Sequence, residues 1–170
     1  FVVLNGHIDK ANGDGYENAQ GEYLWVNATP DSWYDSAKKQ FKMVMGGAMP
    51  GFNDYYKQGG AGDGYTKYDD EGGALFDRQL KAAQNAGLQW LQVSTWNDYG
   101  EGTIIEPTKE FGYRYLTKLQ SFTGVKFQES NLKLIYQWYQ LRVKYASDAA
   151  KTKVLEQCYA YLNALQPAKA

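Results

Sequence analysis

Asp98 and Glu101, two carboxylates three residues apart, are the strongest candidates for catalytic side chains in this sequence. They follow an apolar run at residues 88–95 that predicts a strand, and glycines and aromatic rings surround them. Glycosidic bonds are cleaved by paired carboxyl groups that lie about 5 to 9.5 Å apart. Because three residues span at most about 10 Å, the spacing suits acid–base work on a sugar. The alternative is a turn at Asn97 and Asp98 with a solvated Glu101.

The remaining composition disfavours several other functions. The 170 residues carry 18 Lys and Arg against 19 Asp and Glu, a balance that gives no sign of binding to nucleic acid or to a membrane surface. No run of about 18 apolar residues is present, so no membrane span is predicted. The single histidine, His7, and the single cysteine, Cys158, have no Gly-x-Ser-x-Gly motif beside them. A serine or cysteine hydrolase is therefore disfavoured.

Strand and helix patterns alternate over the first 124 residues. Strand-like runs lie at residues 1–5, 22–26, 42–47 and 88–95, and helical spacing follows the last three. Thr29 and Pro30 predict the start of the first helix, and Gly87 and Gly124 end the second and third. Such alternation predicts a parallel sheet or barrel with its chemistry at the carboxyl ends of the strands.

Two long connections interrupt this alternation. The loop at residues 49–73 is rich in Gly, Tyr and Asp, and loops of that length are usually functional or disordered. We expect it on the same face as residues 96–102, because both segments leave strand carboxyl ends. The connection at residues 6–21 carries His7 and shows no helical spacing.

The last third of the chain has a different pattern. Two apolar stripes at helical spacing are present: Leu132, Ile135, Tyr136, Tyr139 and Val143, then Val154, Leu155, Cys158, Tyr161, Leu162 and Leu165. A turn at Ser147 and Asp148 separates them and predicts an antiparallel helical hairpin. We therefore divide the chain into a sheet-bearing part, residues 1–124, and a hairpin packed on it, residues 125–170.

Three short motifs resemble known glycoside hydrolases. Residues 95–101, Thr-Trp-Asn-Asp-Tyr-Gly-Glu, resemble the Trp-Asn-Asp-(Tyr/Phe)-Gly-Glu signature of family 71, the α-1,3-glucanases. Residues 101–106, Glu-Gly-Thr-Ile-Ile-Glu, resemble the Glu-Gly-Thr-x-Ile-Glu of family 99, the endo-α-mannanases and mannosidases. Residues 49–54 resemble the Pro-Gly-Phe loop of family-99-like proteins. Over about residues 1–122, the chain is similar to bacterial family 71/99-like proteins.

This resemblance implies an α/β fold: the C-terminal part, about half, of a (β/α)8 TIM-type barrel, followed by the helical hairpin. It implies that Asp98 is the base and Glu101 the general acid. The implied substrate-binding residues are Trp96, Asn97, Tyr99, Asn53 and Asp54. Family 99 has Asn-Glu-Trp-His-Glu where this chain has Asn-Asp-Tyr-Gly-Glu, and the aspartate form matches family 71.

The implied activity is hydrolysis of an α-linked polysaccharide of α-glucan or α-mannan type, in a secreted, periplasmic or cell-surface protein. No cofactor and no metal are implied. Four strands make half of a barrel, so we expect a missing N-terminal barrel half or a second chain to cover the open edges. Two alternatives remain: a non-catalytic glycan-binding protein on a degenerate barrel, and a fragment that is inactive without its missing N-terminal half.

Overall fold

The computed structural model describes the backbone of residues 3–5 and all of residues 20–170. Most of the predicted first connection, residues 6–19 with His7, lies outside the described residues. By its internal contacts the chain divides into two compact units, Phe1–Tyr115 and Leu116–Ala170.

The first unit is built on a parallel sheet. Its strands have the order β1-β2-β3-β4, and each neighbouring pair is parallel. The strands are β1 (Val3–Asn5), β2 (Gly21–Tyr23), β3 (Met43–Ala48) and β4 (Trp90–Val93). The four predicted strands are therefore confirmed in position, with their ends shifted, and the α/β class with a parallel sheet is confirmed as well.

Two helices, α1 (Asp31–Gln40) and α2 (Ala74–Asn85), connect these strands and pack against β3. A short 3-10 turn, Glu71–Gly73, precedes α2. The main core lies between the two helices and the sheet and consists of Leu24, Tyr34, Ala37, Val44, Ala82 and Ala83. Burial of these apolar side chains is the main force that fixes the helices on the sheet.

The predicted helix ends are partly confirmed. Helix α2 ends as expected, because Gly87 N–H donates to the carbonyl of Gln84 at 3.0 Å. Helix α1 begins one residue later than predicted, with Pro30 in the capping position and no side-chain cap. Just before this start, the Asn27 side chain accepts the N–H of Thr29 at 2.8 Å.

A small antiparallel pair follows β4 and was not predicted. It consists of β5 (Asn97–Asp98) and β6 (Thr103–Ile104). The peptide bond between Ser94 and Thr95, just before the pair, is cis. Helix α3 (Arg114–Thr123) begins three residues after Phe111, the first residue of its predicted pattern.

The second unit contains α4 (Glu129–Lys144) and α5 (Ala149–Asn163), which contact each other, and a final 3-10 turn, Pro167–Lys169. The Trp138 ring stacks on that of Tyr159, with centroids 5.2 Å apart, and donates to the carbonyl of Leu155. Within the part of the chain that the structure describes, no helix is both long and apolar enough to cross a membrane.

The contacts of α4 differ from the predicted stripe. Leu132 is buried, but the other four members of the stripe are exposed: Ile135, Tyr136, Tyr139 and Val143. Helix α4 is apolar on more than one side, and the bulky Trp138 occupies the contact with α5. Sequence spacing alone does not reveal which apolar side a helix buries.

Candidate active site

The two predicted catalytic carboxylates lie on the β5–β6 hairpin. The hydroxyl of Thr95 accepts the N–H of Asp98, and Asp98 Oδ1 accepts the N–H of Glu101, both at 2.9 Å. Gly102 closes the hairpin with φ +68°, and a Cβ there would lie 3.1 Å from the carbonyl oxygen of Asn53. Glycine is therefore required for both the turn and the close approach of the next loop.

The long loop after β3 is joined directly to this hairpin. Asn53 N–H donates to the carbonyl of Glu101 at 2.8 Å, and Tyr55 N–H donates to that of Gly100 at 2.9 Å. These bonds confirm the expectation that residues 49–73 lie on the same face as residues 96–102.

Asp54 gives this loop its shape. Its Oδ1 accepts the N–H of Tyr56 at 3.1 Å, and its Oδ2 accepts that of Tyr65 at 2.7 Å. One carboxylate thus ties together two parts of the loop that are distant in sequence. Gly64 fits tightly beside it, since a Cβ there would lie 2.7 Å from Asp54 Oδ1.

Tyr56 links the loop to the candidate acid. Its hydroxyl donates to Glu101 Oε1 at 2.7 Å. This hydrogen bond, together with partial burial and the nearby negative charges of Glu101 and Asp98, raises the pKa of Tyr56 to about 12. The phenol therefore remains a proton-bearing donor across the working range of most enzymes. Both carboxylates lie within electrostatic reach of this one hydroxyl.

A cavity of about 740 Å³ opens beside Glu101, within the range of about 300–1,000 Å³ typical of small-molecule sites. The described residues that line it are Trp25, Val26, Phe52, Tyr56, Ala61, Gly62, Asp63, Gly64, Tyr65, Thr66, Tyr68 and Glu101. Residues from the end of β2, from the long loop and from the hairpin therefore meet at one concave surface.

Of the seven residues predicted for the site, Glu101 is the one that lines this cavity. Asp98 and Asn97 are exposed on the hairpin, and Trp96 is also exposed, at 51%. Tyr99 donates to Glu106 Oε1 at 2.7 Å, which raises the pKa of Tyr99 above its ordinary value. The remaining two, Asn53 and Asp54, serve the loop contacts described above.

The lining residues that the sequence argument did not predict include three aromatic residues: Trp25, Tyr56 and Tyr65. The available signal was the aromatic content, 16% of the chain with 15 tyrosines, together with the placement of Tyr56 and Tyr65 in the long loop. A high aromatic content is compatible with core packing, with function or with both, and it does not indicate which rings line a site. Among the described side chains, no cluster of three His, Cys, Asp or Glu suited to a metal ion is present.

No protein-family model matches the chain, and no curated protein matches it. Among the solved structures that resemble this chain in fold are two of the GH99 endo-alpha-mannosidase from Bacteroides thetaiotaomicron. The first is 21% identical with a TM-score of 0.53 and covers 74% of this chain and 44% of that one. The second, in complex with Bis-Tris propane, is 23% identical with a TM-score of 0.53 and covers 71% and 46%.

These likenesses establish the fold of the matched region, a partial domain of the GH99 type. They confirm the family 99 side of the predicted resemblance at the level of the fold. This chain spans less than half the length of each neighbour.

Proposed function

We propose that this chain is part of a glycoside hydrolase that cleaves α-linked polysaccharide, of α-mannan or α-glucan type. Glu101 would act as general acid, and Asp98 as the base that activates water or the sugar 2-hydroxyl. The observation that carries the proposal is the hydrogen bond between Tyr56 and Glu101 at 2.7 Å, made at the wall of the cavity. It fixes one carboxyl oxygen and leaves the other available to a ligand.

The separation between the two carboxyl groups stays a prediction, about 5 to 9.5 Å. The hydrogen bond from Glu101 N–H to Asp98 Oδ1 holds both residues in one tight turn, which is compatible with that range. The acid protonates the departing glycosidic oxygen while the base removes a proton on the other side of the bond. Trp96, Asn97, Tyr99, Asn53 and Asp54 remain proposed substrate contacts around this pair.

The architecture we propose is the C-terminal half of a (β/α)8 barrel, residues 1–124, followed along the chain by the helices of residues 125–170. The other half, from further sequence or a second chain, would pair with the outer strands of the parallel sheet. Both neighbouring structures are of an endo-alpha-mannosidase, which favours α-mannan over α-glucan. With this activity we also propose a secreted, periplasmic or cell-surface location, where the polysaccharide substrate is accessible.

The experiment is turnover on α-mannan and α-1,3-glucan, with protein expressed from its complete reading frame. Glu101→Gln keeps the shape of the side chain but cannot transfer the proton, so we expect turnover to fall about 10²–10⁴-fold while oligosaccharide binding is retained. Asp98→Asn should also lower turnover severely. Near-normal turnover in both variants would refute the assignment of the pair.

A second candidate function, non-catalytic glycan binding, is favoured by one observation. Asp98 is exposed, and its Oδ1 is already occupied by the N–H of Glu101, the arrangement of a simple turn. A wild-type protein that binds α-linked oligosaccharides and shows no turnover on either polysaccharide would support this candidate over the hydrolase.

A further inference from the structure

We propose that the cavity beside Glu101 is a subsite for one neutral hexose ring, with Trp25 and Tyr65 as the aromatic surfaces that contact it. The inference rests on the proposed function, because it assumes that the ligand is a glycan. It adds two contact residues to that proposal. Neither residue belongs to the motifs that suggested a glycosidase.

Tyr65 has the properties of a preformed contact surface. It is 76% exposed, yet its backbone N–H is held by Asp54 at 2.7 Å. Its ring also meets two other rings edge to face, those of Phe52 at 6.4 Å and Tyr56 at 5.9 Å. An exposed ring that is already oriented loses little conformational entropy when a ligand covers it.

Trp25 supplies a second apolar surface from another part of the fold. It lies two residues beyond β2, is 38% exposed and lines the cavity. Its ring meets that of Tyr23 edge to face at 6.3 Å. The C–H faces of a pyranose ring are apolar, and indole and phenol rings offer flat apolar faces with polar edges.

The charges at the cavity select a neutral sugar. Among the described lining residues, the charged ones are Asp63 and Glu101, and both are acidic. The Asp63 carboxylate accepts hydrogen bonds from sugar hydroxyl groups and repels an anionic sugar, whereas Glu101 adds to this repulsion only while it is ionised. Because Glu101 is also the proposed acid, the bound hexose would lie next to the bond that is cleaved.

The test measures dissociation constants by titration calorimetry in the Glu101→Gln background, so that the probe stays intact. The probes are α-1,2-linked mannotriose and α-1,3-linked glucotriose. We expect Trp25→Ala and Tyr65→Ala each to weaken binding about tenfold, the equivalent of about 1.4 kcal/mol. Tyr65→Phe should bind like its parent. The matched control is Tyr55→Ala, which removes another exposed tyrosine of the same loop that does not line the cavity.

A spectroscopic readout covers the case in which an alanine variant does not fold. A trisaccharide should change the tryptophan fluorescence of the parent, and Trp25→Phe should abolish most of that change. If the parent binds the probe but Trp25→Ala and Tyr65→Ala bind it as tightly as Tyr55→Ala, the subsite is refuted and the proposed function stands. If a glucuronate-containing trisaccharide binds more tightly than the two neutral trisaccharides, the assignment of the subsite to a neutral sugar is also refuted. If the parent binds none of these glycans and the wild-type protein cleaves none of them, the proposed function fails, and the subsite fails with it.

Discussion

Replacing Gln79 with Leu should destabilise the fold, because it removes two buried hydrogen bonds that join the segments of the cavity wall. Gln79 is 1% exposed. Its Oε1 accepts the N–H of Met49 at 2.8 Å, and its Nε2 donates to the carbonyl of Asn27 at 2.6 Å. Met49 begins the long loop, and Asn27 lies two residues beyond Trp25. One amide side chain therefore ties together the two segments that form the cavity wall.

The expected loss follows from the groups left behind. A buried backbone group without a partner costs about 1–3 kcal/mol. The Met49 N–H is fully buried and should cost about 2 kcal/mol, whereas the carbonyl of Asn27 is partly accessible and should cost about 1 kcal/mol. Leu is similar in size to Gln, so no large cavity forms. The free energy of unfolding should therefore fall by about 3 kcal/mol, which lowers Tm by about 6–12 °C for a chain of this size.

Thermal unfolding followed by far-ultraviolet circular dichroism measures this change. The matched control is Gln84→Leu, since Gln84 is an exposed glutamine of the same helix α2 and its replacement should move Tm by no more than about 2 °C. If the Tm of Gln79→Leu lies within about 2 °C of wild type, or if Gln84→Leu lowers Tm equally, then the hydrogen bonds of Gln79 do not stabilise the fold as we expect.

Two further predictions concern hydrogen bonds to carboxylates. Tyr56→Phe removes the hydrogen-bond donor to Glu101 and should lower kcat about tenfold with little change in KM. The control Tyr55→Phe should leave both kcat and KM unchanged. A raised KM with a normal kcat in Tyr56→Phe would instead mean that Tyr56 only binds substrate. The hydrogen bond from Lys151 lowers the pKa of Asp148, so its stabilising effect is complete above about pH 4 and is lost as pH falls through the lowered pKa. Asn at position 148 can still accept a backbone N–H at the start of the helix, but it does not titrate. The difference in Tm between wild type and Asp148→Asn should therefore shrink as pH falls from 6 to 3. A difference in Tm that stays constant over this range would contradict the linkage between the Asp148 pKa and stability.

The strands and helices were largely predictable because their patterns are local. The apolar runs at residues 42–47 and 88–95 predicted two strands, and the ends of these strands in the structure lie within a few residues of the predicted ends. Gly87 correctly marked the end of α2. The short pair β5–β6 was missed because two-residue strands carry no detectable alternation, and the inward side of α4 was missed because that helix is apolar on more than one side.

By itself, the sequence determined that this is an α/β chain with a carboxylate-bearing segment after a parallel strand, because periodicity and short motifs are written in neighbouring residues. The cavity was decided by the tertiary structure alone. Tyr56 meets Glu101 across 45 positions of sequence, and Trp25 joins the same wall from the end of another strand. Which ring reaches which carboxylate depends on how the loops are held against one another by Asp54 and Gln79. Those contacts join residues that are far apart in the sequence. They depend on packing and hydrogen bonding in three dimensions, which local residue spacing does not reveal.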